Sequence, residues 1–237
     1  MSGQFLFVVS SHGELGTSGT RTGSWLEEIA VPYWRFIDAG YQVTIASPKG
    51  GAAPLDPMSL DDPWISDTGR RFLSDEGAKA SLAATMLLDD VDPAAYHGVY
   101  LVGGTATTWD FPHNGHIKRI VEAFYADSKV ISAICHGVIG LVQAVDSNGE
   151  PLVKNRSITS ISNAEDVMMG VDKIVPVLPE EMLRKLRAVY TAGPPFAEHV
   201  VCEPPFFTGQ NPASADLLAV KVLGHLERTA EPSKQEA

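Results

Sequence analysis

Residues 129–138 read KVISAICHGV, and this stretch decides the fold. A short apolar run rich in β-forming residues comes first, then Cys135, His136 and Gly137, then an apolar stretch of helical character. Strand, sharp turn and helix in that order predict a nucleophile elbow, in which the side chain on the turn is exposed at the top of a sheet. Gly137 suits the tight turn because it has no Cβ.

Cys135 is the candidate nucleophile on this turn. The turn places it at the N-terminus of a helix, where unpaired N–H groups and the positive end of the helix dipole favour an anion. We therefore expect the Cys135 thiol to ionise more easily than a free thiol. The alternative is a cysteine that only packs at the end of the strand, since free Cys is among the most buried residue types.

The charge of the chain restricts its partners. A formal net charge of -11 disfavours nucleic acid and anionic membrane surfaces as partners.

The two cysteines, Cys135 and Cys202, do not suggest a disulfide framework, so we expect a reduced, cytoplasmic setting in which Cys202 packs rather than reacts. The N-terminal apolar run is too short for a signal peptide, and no run approaches the roughly 18 apolar residues of a membrane span.

Buried strands alternate with helices along the chain. Apolar strands are predicted at residues 5–9, 42–47, 97–102 and 130–134. Continuous apolar runs of this kind are typical of strands buried on both faces of a parallel sheet, with helices as right-handed crossovers. The prediction is a single α/β domain over residues 1–237, a three-layer sandwich with a mostly parallel, flavodoxin-like central sheet.

Two segments stand apart from this pattern. Residues 48–74 are long and irregular, with repeated Gly and Pro. A connection of that length is usually a functional cover or an insertion, so we expect a small cap or a dimer surface there. Residues 229–237 are polar and are expected to form a frayed tail.

The first helix carries a candidate acid. Residues 24–40 have helical periodicity, with Trp25 on the apolar stripe. On the helical wheel Glu28 lies about 60° from Trp25, at the border of the stripe, whereas Glu27 lies on the far side. We therefore expect Glu28 to face the protein and Glu27 to face the solvent.

Two glycines follow the third strand, at the start of the run GGTATTWDFP over residues 103–112. Gly103 and Gly104 let backbone N–H groups approach a ligand closely, which predicts an anion- or oxyanion-binding nest. An ordinary tight turn is the alternative. His113 and His116 follow as an H-x-x-H pair, but without a third ligand they do not predict a metal site.

The remaining elements follow from the same patterns. The acids Glu165 and Asp166 lie close to the start of a helix, after a predicted strand at residues 157–162. The other predicted elements are helices over residues 75–88 and 113–126, a helix starting at Pro179, a strand over residues 199–202 and a helix starting at Asn211 and Pro212.

Four motifs occur in a characteristic order. They are TGSWLEEIAVPYW at residues 22–34, the GG turn with WDFP at 103–112, AICHG at 133–137 and TGQNPASA at 208–215. Together they resemble the ThiJ/PfpI superfamily, which has the class I glutamine-amidotransferase-like fold, and within it the branch of heat-shock-type chaperones and cofactor-independent glyoxalases III. The resemblance extends over about residues 5–226.

The resemblance implies roles for individual residues. Cys135 matches the nucleophile, Glu28 the acid that hydrogen-bonds it, and His136 the histidine beside it. Asp166 falls at the position of the third acid, with Glu165 as its alternative. Cys, His and an acid form an arrangement that activates a thiol. Whether His136 or Glu28 is the working base stays open, because adjacent residues on a turn need not face each other.

The same resemblance implies an oxyanion site, and the sequence departs from the family pattern directly beside it. The N–H groups of Gly104 and His136 would bind the oxyanion, and Gly104, Thr105 and Trp109 are the candidate oxyanion- and substrate-binding residues. The glyoxalase branch usually has His-Gly after the GG pair, whereas this chain has Thr105 and Ala106. A proton carrier and a permissive glycine are therefore missing from the pocket rim.

The leading functional hypothesis is a cytoplasmic glyoxalase III-like enzyme. Its Cys135 thiolate would attack a small electrophilic carbonyl such as a 2-oxoaldehyde, and Glu28 would move the proton that converts the adduct to a 2-hydroxy acid. The expected partner is a small-molecule substrate, with no metal and no organic cofactor. The resemblance also implies a homodimer.

Three other functions are compatible with the same sequence. A hydratase would add water to an isonitrile or nitrile carbon at the same site. We keep this alternative because Thr105 and Ala106 stand where the glyoxalase branch usually has His-Gly. A stress protein would hold unfolded clients or sense oxidants through Cys135 with little catalysis, and its client-holding form requires an exposed apolar patch. An amidotransferase is the weakest alternative, because no synthetase domain is evident.

Overall fold

The computed structural model describes residues 3–230, and the predicted α/β alternation is present throughout them. The strands are β1 (Gly3–Val8), β2 (Tyr41–Ser47), β3 (Met86–Leu87), β4 (Gly98–Leu101), β5 (Val130–Ile134), β6 (Ser157–Ile158), β7 (Val189–Tyr190), β8 (Val200–Glu203) and β9 (Phe206–Gly209). The helices are α1 (Leu26–Asp38), α2 (Asp67–Ser74), α3 (Glu76–Ala83), α4 (Thr107–Asp110), α5 (Gly115–Ala126), α6 (Asn163–Met169), α7 (Pro179–Lys185) and α8 (Ala215–Ala230).

Seven strands form the central sheet, in the order β3-β2-β1-β4-β5-β9-β8. All neighbours are parallel except β8, which pairs antiparallel with β9. Apart from the two edge strands, the order of the five inner strands is that of a flavodoxin-like sheet, in which ligands bind at the carboxyl edge near the point where the strand order reverses. Here that point lies between β1 and β4.

The sheet is covered on both faces. Along β1, Phe5 and Phe7 belong to one apolar cluster, and Leu6 and Val8 belong to the other. This alternation follows from the period of two in a strand, and it explains why the run is apolar without interruption. Helices α1 and α8 cover the first face and α5 and α7 the second. The predicted three-layer sandwich is therefore confirmed.

Four short strands, β3, β6, β7 and β9, were missed or misplaced by the sequence pattern. β3 has only two residues, and it follows α3, which ends at Ala83 inside the helix predicted over residues 75–88. β9 lies inside the sheet between β5 and β8, but no strand was predicted over its residues Phe206–Gly209. Of residues 157–162, only β6 is a strand, and it pairs with β7 outside the central sheet. Such short strands depend on a partner, so their own sequence hardly signals them.

The edge strand β8 corrects the expectation for Cys202. Cys202 is exposed, whereas we predicted that it packs. Cys202 lies on this edge strand, and its neighbours Val201 and Glu203 are more buried than Cys202.

The two irregular segments behave differently. Residues 48–74 contain a 3-10 turn at Pro57–Leu60 and the helix α2, and they cover the carboxyl edge of the sheet beside α1. Of the predicted frayed tail, residues 229–230 continue α8, and the rest lies outside the described residues. None of the helices between residues 3 and 230 has the length and apolar character that crossing a bilayer requires.

Candidate active site

Cys135 lies directly after β5, at the carboxyl edge of the sheet. Its backbone φ is 55°, a left-handed conformation that is uncommon for a residue with a side chain. The turn continues as a 3-10 helix over Cys135–Leu141, not as the α-helix that we predicted. Strained backbone of this kind is found at functional sites, where the surrounding structure holds it in place. The predicted elbow is present, with a tighter helix after it.

Two glycines allow the elbow to pack against β4. A Cβ on Gly137 would lie 2.4 Å from the carbonyl oxygen of Val102 and 2.6 Å from that of Leu101. A Cβ on Gly103 would lie 2.3 Å from Oε2 of Glu28 and 2.7 Å from Cβ of Cys135. Distances below 3.0 Å leave no room for a side chain, so both positions require glycine. Gly103 therefore allows the carboxyl group of Glu28 to lie close to Cys135.

His136 faces both Cys135 and an acid. Its Nδ1 lies 3.4 Å from Sγ of Cys135, and its Nε2 lies 2.8 Å from Oδ1 of Asp166. When Nε2–H donates to the carboxylate, Nδ1 of the neutral ring is left to accept the thiol proton. The two adjacent residues on the turn do face each other, which the sequence left open. The structure thus aligns Cys135, His136 and Asp166 in one chain of contacts.

The neighbouring acid, Glu165, lies in a different environment from Asp166. Its Oε2 accepts hydrogen bonds from the N–H of Ser162 at 2.9 Å, from the hydroxyl of Ser162 at 2.7 Å and from Nε2 of Gln210 at 2.9 Å. Its Oε1 accepts from the N–H of Phe196 at 2.8 Å and from Nδ2 of Asn211 at 2.7 Å. Glu165 is therefore a buried acid held by several donors, and Asp166 is the one that contacts His136.

Glu28 is completely buried beside Cys135, as predicted. Burial raises the pKa of Glu28 to about 8, and the negative charge of Glu165 adds to the increase, whereas the Cys135 thiol and the N–H of Gly103 oppose it. Among the described residues, neither carboxyl oxygen has a partner of ordinary hydrogen-bond geometry. The contacts with Cys135 and Gly103 are therefore close but poorly aligned. At neutral pH Glu28 is mainly protonated.

The prediction for Glu27 is wrong. Glu27 is buried, and its carboxylate accepts hydrogen bonds from the N–H and the hydroxyl of Ser66, both at 2.7 Å. Ser66 is the N-cap residue of α2. The segment over residues 48–74 covers the face of α1 that a helical wheel assigns to solvent. The wheel describes one helix and contains no information about a distant segment that packs on it.

The ionisation expected of Cys135 is also wrong. Burial raises the pKa of the Cys135 thiol, and so does the negative charge of Glu28 when it is ionised. The N–H groups of His136 and Gly104 oppose this increase but do not reverse it. A thiolate loses its hydration in this site, and that cost exceeds what the short 3-10 helix returns. The site therefore favours the neutral thiol over the thiolate.

The two N–H groups that point at Sγ are those predicted for the oxyanion site. Gly104 has a φ of 104°, and a Cβ there would lie 2.4 Å from the carbonyl oxygen of Gly23. Thr105 lines the same cavity as Cys135, with Oγ1 3.3 Å from Oγ1 of Thr22. Gly104 and Thr105 thus line the cavity at Cys135, together with His136.

Trp109 is not part of this cavity wall. Its ring stacks on His12, with ring centroids 4.9 Å apart and planes inclined by 11°. Its neighbour Asp110 accepts from the hydroxyl of Ser10 and the N–H of Ser11, which ties α4 to the loop after β1. The prediction of Trp109 as a substrate-binding residue is therefore not supported by its position.

A cavity of about 540 Å³ opens over Cys135. Cys135 itself is 5% exposed, so the sulfur is reached through this cavity. Sequence reasoning missed most of the wall, because its residues come from five separate stretches. The only signal was Trp64, the one large aromatic residue of the irregular segment before α2. The apolar wall residues include Trp25, Met58, Trp64, Ile161, Met168, Met169, Phe196 and Pro212.

The titratable side chains of residues 3–230 do not form a group of three or more that could hold a metal ion. His113 has a left-handed φ of 63° before α5, and His116 lies within 3.3 Å of Asp89 on the surface. The H-x-x-H pair is therefore not placed as a joint ligand set.

Comparison with known proteins gives consistent results over nearly the whole chain. The sequence model of the DJ-1/PfpI family matches residues 22–224. The "Glutathione-independent glyoxalase hsp3101" of Schizosaccharomyces pombe is 26% identical over 248 residues, which cover 96% of this chain and 98% of that protein.

Two crystal structures are similar in sequence and in fold. The Rapid Encystment Protein 24 KDa of Francisella tularensis is 33% identical with a TM-score of 0.91, and the match covers 94% of this chain and 99% of that one. Glyoxalase III from Candida albicans is 25% identical with a TM-score of 0.88, and the match covers 94% of this chain and 98% of that one.

Proposed function

Because this chain belongs to the DJ-1/PfpI family, we propose that it is an enzyme of the glyoxalase III type. It converts a 2-oxoaldehyde to the 2-hydroxy acid without glutathione. One observation carries the proposal: the neutral Cys135 thiol lies between a protonated carboxyl group, Glu28, and the His136–Asp166 pair. The Schizosaccharomyces pombe relative named a glutathione-independent glyoxalase and the Candida albicans glyoxalase III support the same reaction.

In the first step, Sγ of Cys135 forms a bond to the aldehyde carbon. The thiol proton passes to Nδ1 of His136, which lies 3.4 Å from the sulfur. The aldehyde oxygen develops negative charge near the N–H groups of Gly104 and His136 and then takes the proton of Glu28. The product is a hemithioacetal, with an imidazolium at His136 and a carboxylate at Glu28.

In the second step, the Glu28 carboxylate removes the proton from the carbon that bears the sulfur. The imidazolium of His136 protonates the neighbouring carbonyl oxygen, which gives an enediol. Glu28 then returns its proton to that neighbouring carbon, and the enediol oxygen next to the sulfur gives its proton to His136. One carbon has been oxidised and the other reduced within the same molecule, so no external oxidant or reductant is required.

In the third step, water attacks the resulting thioester. Glu28 takes the proton of the water, the sulfur leaves, and His136 protonates it. The 2-hydroxy acid departs, and the neutral thiol, neutral His136 and protonated Glu28 are restored. General acid and base help of this kind is typically worth about 10²- to 10⁴-fold in rate. Both candidate bases are used, each for a different proton.

The test is the conversion of methylglyoxal to lactate by purified protein in the absence of glutathione. We expect Cys135→Ser to abolish turnover. The matched control is Cys202→Ser, which changes the exposed cysteine on β8 and should retain full activity. Turnover that survives Cys135→Ser would remove this mechanism.

A hydratase acting on an isonitrile carbon is the second candidate. The observation that favours it is Thr105, whose hydroxyl lines the cavity next to Thr22, with Thr22 donating to Asp56 at 2.8 Å. These hydroxyl groups replace a proton-carrying histidine and are suited to hold a water molecule. Measuring the turnover of methylglyoxal and of a simple alkyl isonitrile by the same preparation distinguishes the two reactions, because each candidate function predicts turnover of only one compound.

A further inference from the structure

The cavity over Cys135 has a polar floor and an apolar mouth. The floor consists of Cys135, His136 and Gly104, all buried. The mouth is lined by large apolar side chains that are partly in solvent, including Trp64, which is 43% exposed, and Met168, which is 65% exposed. Exposed large apolar side chains that gather at one opening mark a binding surface. The reacting carbonyl group therefore has its place at the bottom, and an apolar substituent has its place above it.

The aromatic part of this mouth is held in position. Trp25 and Trp64 meet edge to face, with ring centroids 5.7 Å apart and an angle of 82°. Phe196 has a left-handed φ of 59°, and its N–H donates to the buried Glu165 at 2.8 Å. These contacts fix two walls of the opening before any ligand arrives. The methionines on α6, in contrast, have flexible side chains that fit irregular apolar shapes.

Charge does not select the substituent. The two charged side chains in the lining, Arg21 and Asp56, have opposite signs. Asp56 is already engaged by the hydroxyl of Thr22 at 2.8 Å and by the N–H of Met58 at 3.0 Å. An anionic substituent would therefore meet both an attractive and a repulsive charge, whereas an apolar one meets the large apolar side chains of the mouth.

The size of the cavity exceeds what methylglyoxal needs. Its volume of about 540 Å³ lies within the range of about 300–1,000 Å³ found for pockets that enclose drug-sized ligands. Methylglyoxal carries a single methyl group beyond its carbonyl groups, so it would leave Trp64 and the methionines of α6 in contact with water.

We propose that the preferred substrates are 2-oxoaldehydes with an apolar side chain of several carbons, which lies between Trp64, Phe196 and the methionines of α6. This inference rests on the proposed function and specifies its substrate class. The aldehyde carbon meets Sγ of Cys135 on the floor, and the side chain extends toward the mouth. The chemical steps and their balance are those given above.

The experiment compares 2-oxooctanal with methylglyoxal, which have the same reacting groups and differ in chain length. Each buried methylene contributes about fourfold in binding, so we expect kcat/KM for 2-oxooctanal to be at least about tenfold higher. Trp64→Ala should lower the ratio of the two kcat/KM values by at least about threefold. Val220→Ala removes an apolar side chain that is 44% exposed on α8, away from the cavity, and should leave the ratio unchanged.

A binding measurement keeps this inference separate from the reaction. In Cys135→Ala, tryptophan fluorescence should show that 2-hydroxyoctanoate binds at least about tenfold more tightly than lactate. If both aldehydes are turned over with nearly equal kcat/KM, and Trp64→Ala leaves that ratio unchanged, the substrate class is overturned. The proposed function then still stands. If neither aldehyde is turned over but 2-hydroxyoctanoate still binds more tightly, the proposed function fails and the apolar site stands. Equal binding of the two acids overturns the apolar site.

Discussion

Nε2 of His136 lies 2.8 Å from Oδ1 of Asp166, and both side chains are buried. The carboxylate determines which ring nitrogen carries the proton, and so it leaves Nδ1 free to face Cys135. Asp166→Asn would present an amide N–H to the ring and favour the other tautomer. We expect kcat for 2-oxoaldehyde turnover to fall by about 10²- to 10⁴-fold.

The control for this variant is Asp67→Asn, which makes the same chemical change at an exposed position on α2. Its kcat should equal that of the unmodified protein. If Asp166→Asn retained full activity with an intact fold by circular dichroism, His136 would not be oriented by this acid.

The carboxyl group of Glu28 predicts a pH dependence of stability. Its pKa is about 8 in the folded protein, against 4.5 for an unperturbed group. Between these values the folded state holds a proton that the unfolded state has released, so rising pH favours unfolding. The free energy of unfolding, relative to Glu28→Gln, should therefore decrease by about 1.4 kcal/mol per pH unit within this window. Urea unfolding of both proteins from pH 5 to 8 measures it, and parallel curves would contradict the raised pKa.

Gly137 tests the packing of the elbow against β4. A Cβ there would meet two backbone carbonyl oxygens at 2.4 and 2.6 Å, and backbone cannot move aside as a side chain can. We expect Gly137→Ala to lower the free energy of unfolding by about 2–3 kcal/mol. Gly115→Ala is the matched control, because no heavy atom lies within 4 Å of the added Cβ at the start of α5. Equal stability of the two variants would show that the elbow tolerates a side chain.

Glu165 is expected to act on the site through position and charge. Glu165→Gln replaces a carboxylate oxygen by an N–H donor that faces other donors, and leaving such groups unsatisfied costs about 1–3 kcal/mol. It also removes a negative charge that raises the pKa of Glu28. The pKa of Glu28 should therefore decrease, and the corresponding inflection in the pH profile of kcat/KM should move to lower pH.

A purely structural role of Glu165 would lower the melting temperature and leave that inflection where it is. Glu180→Gln serves as the comparison, because Glu180 also accepts a backbone N–H at the start of α6, from Asn163 at 2.8 Å. It should change the stability but not the inflection.

Much of the site could be predicted because its determinants are local. The apolar runs of β1, β2, β4 and β5 specify strands through neighbouring residues alone. Gly137, two residues after Cys135, indicates the turn in the same local way. The border position of Glu28 on α1 was also a property of one helix. The family resemblance added His136 and Asp166, which spacing alone could not have joined across 30 residues.

The sequence by itself determined the parallel sheet and the elbow that carries Cys135, because periodicity and turn chemistry act over a few residues. Only the tertiary structure decided the rest. Ser66 comes from a distant segment and buries Glu27, and desolvation in the assembled site keeps Cys135 neutral. The apolar mouth likewise exists only where Trp64, Met168 and Phe196 meet. Burial and long-range contact depend on the whole chain, and a local pattern carries no record of them.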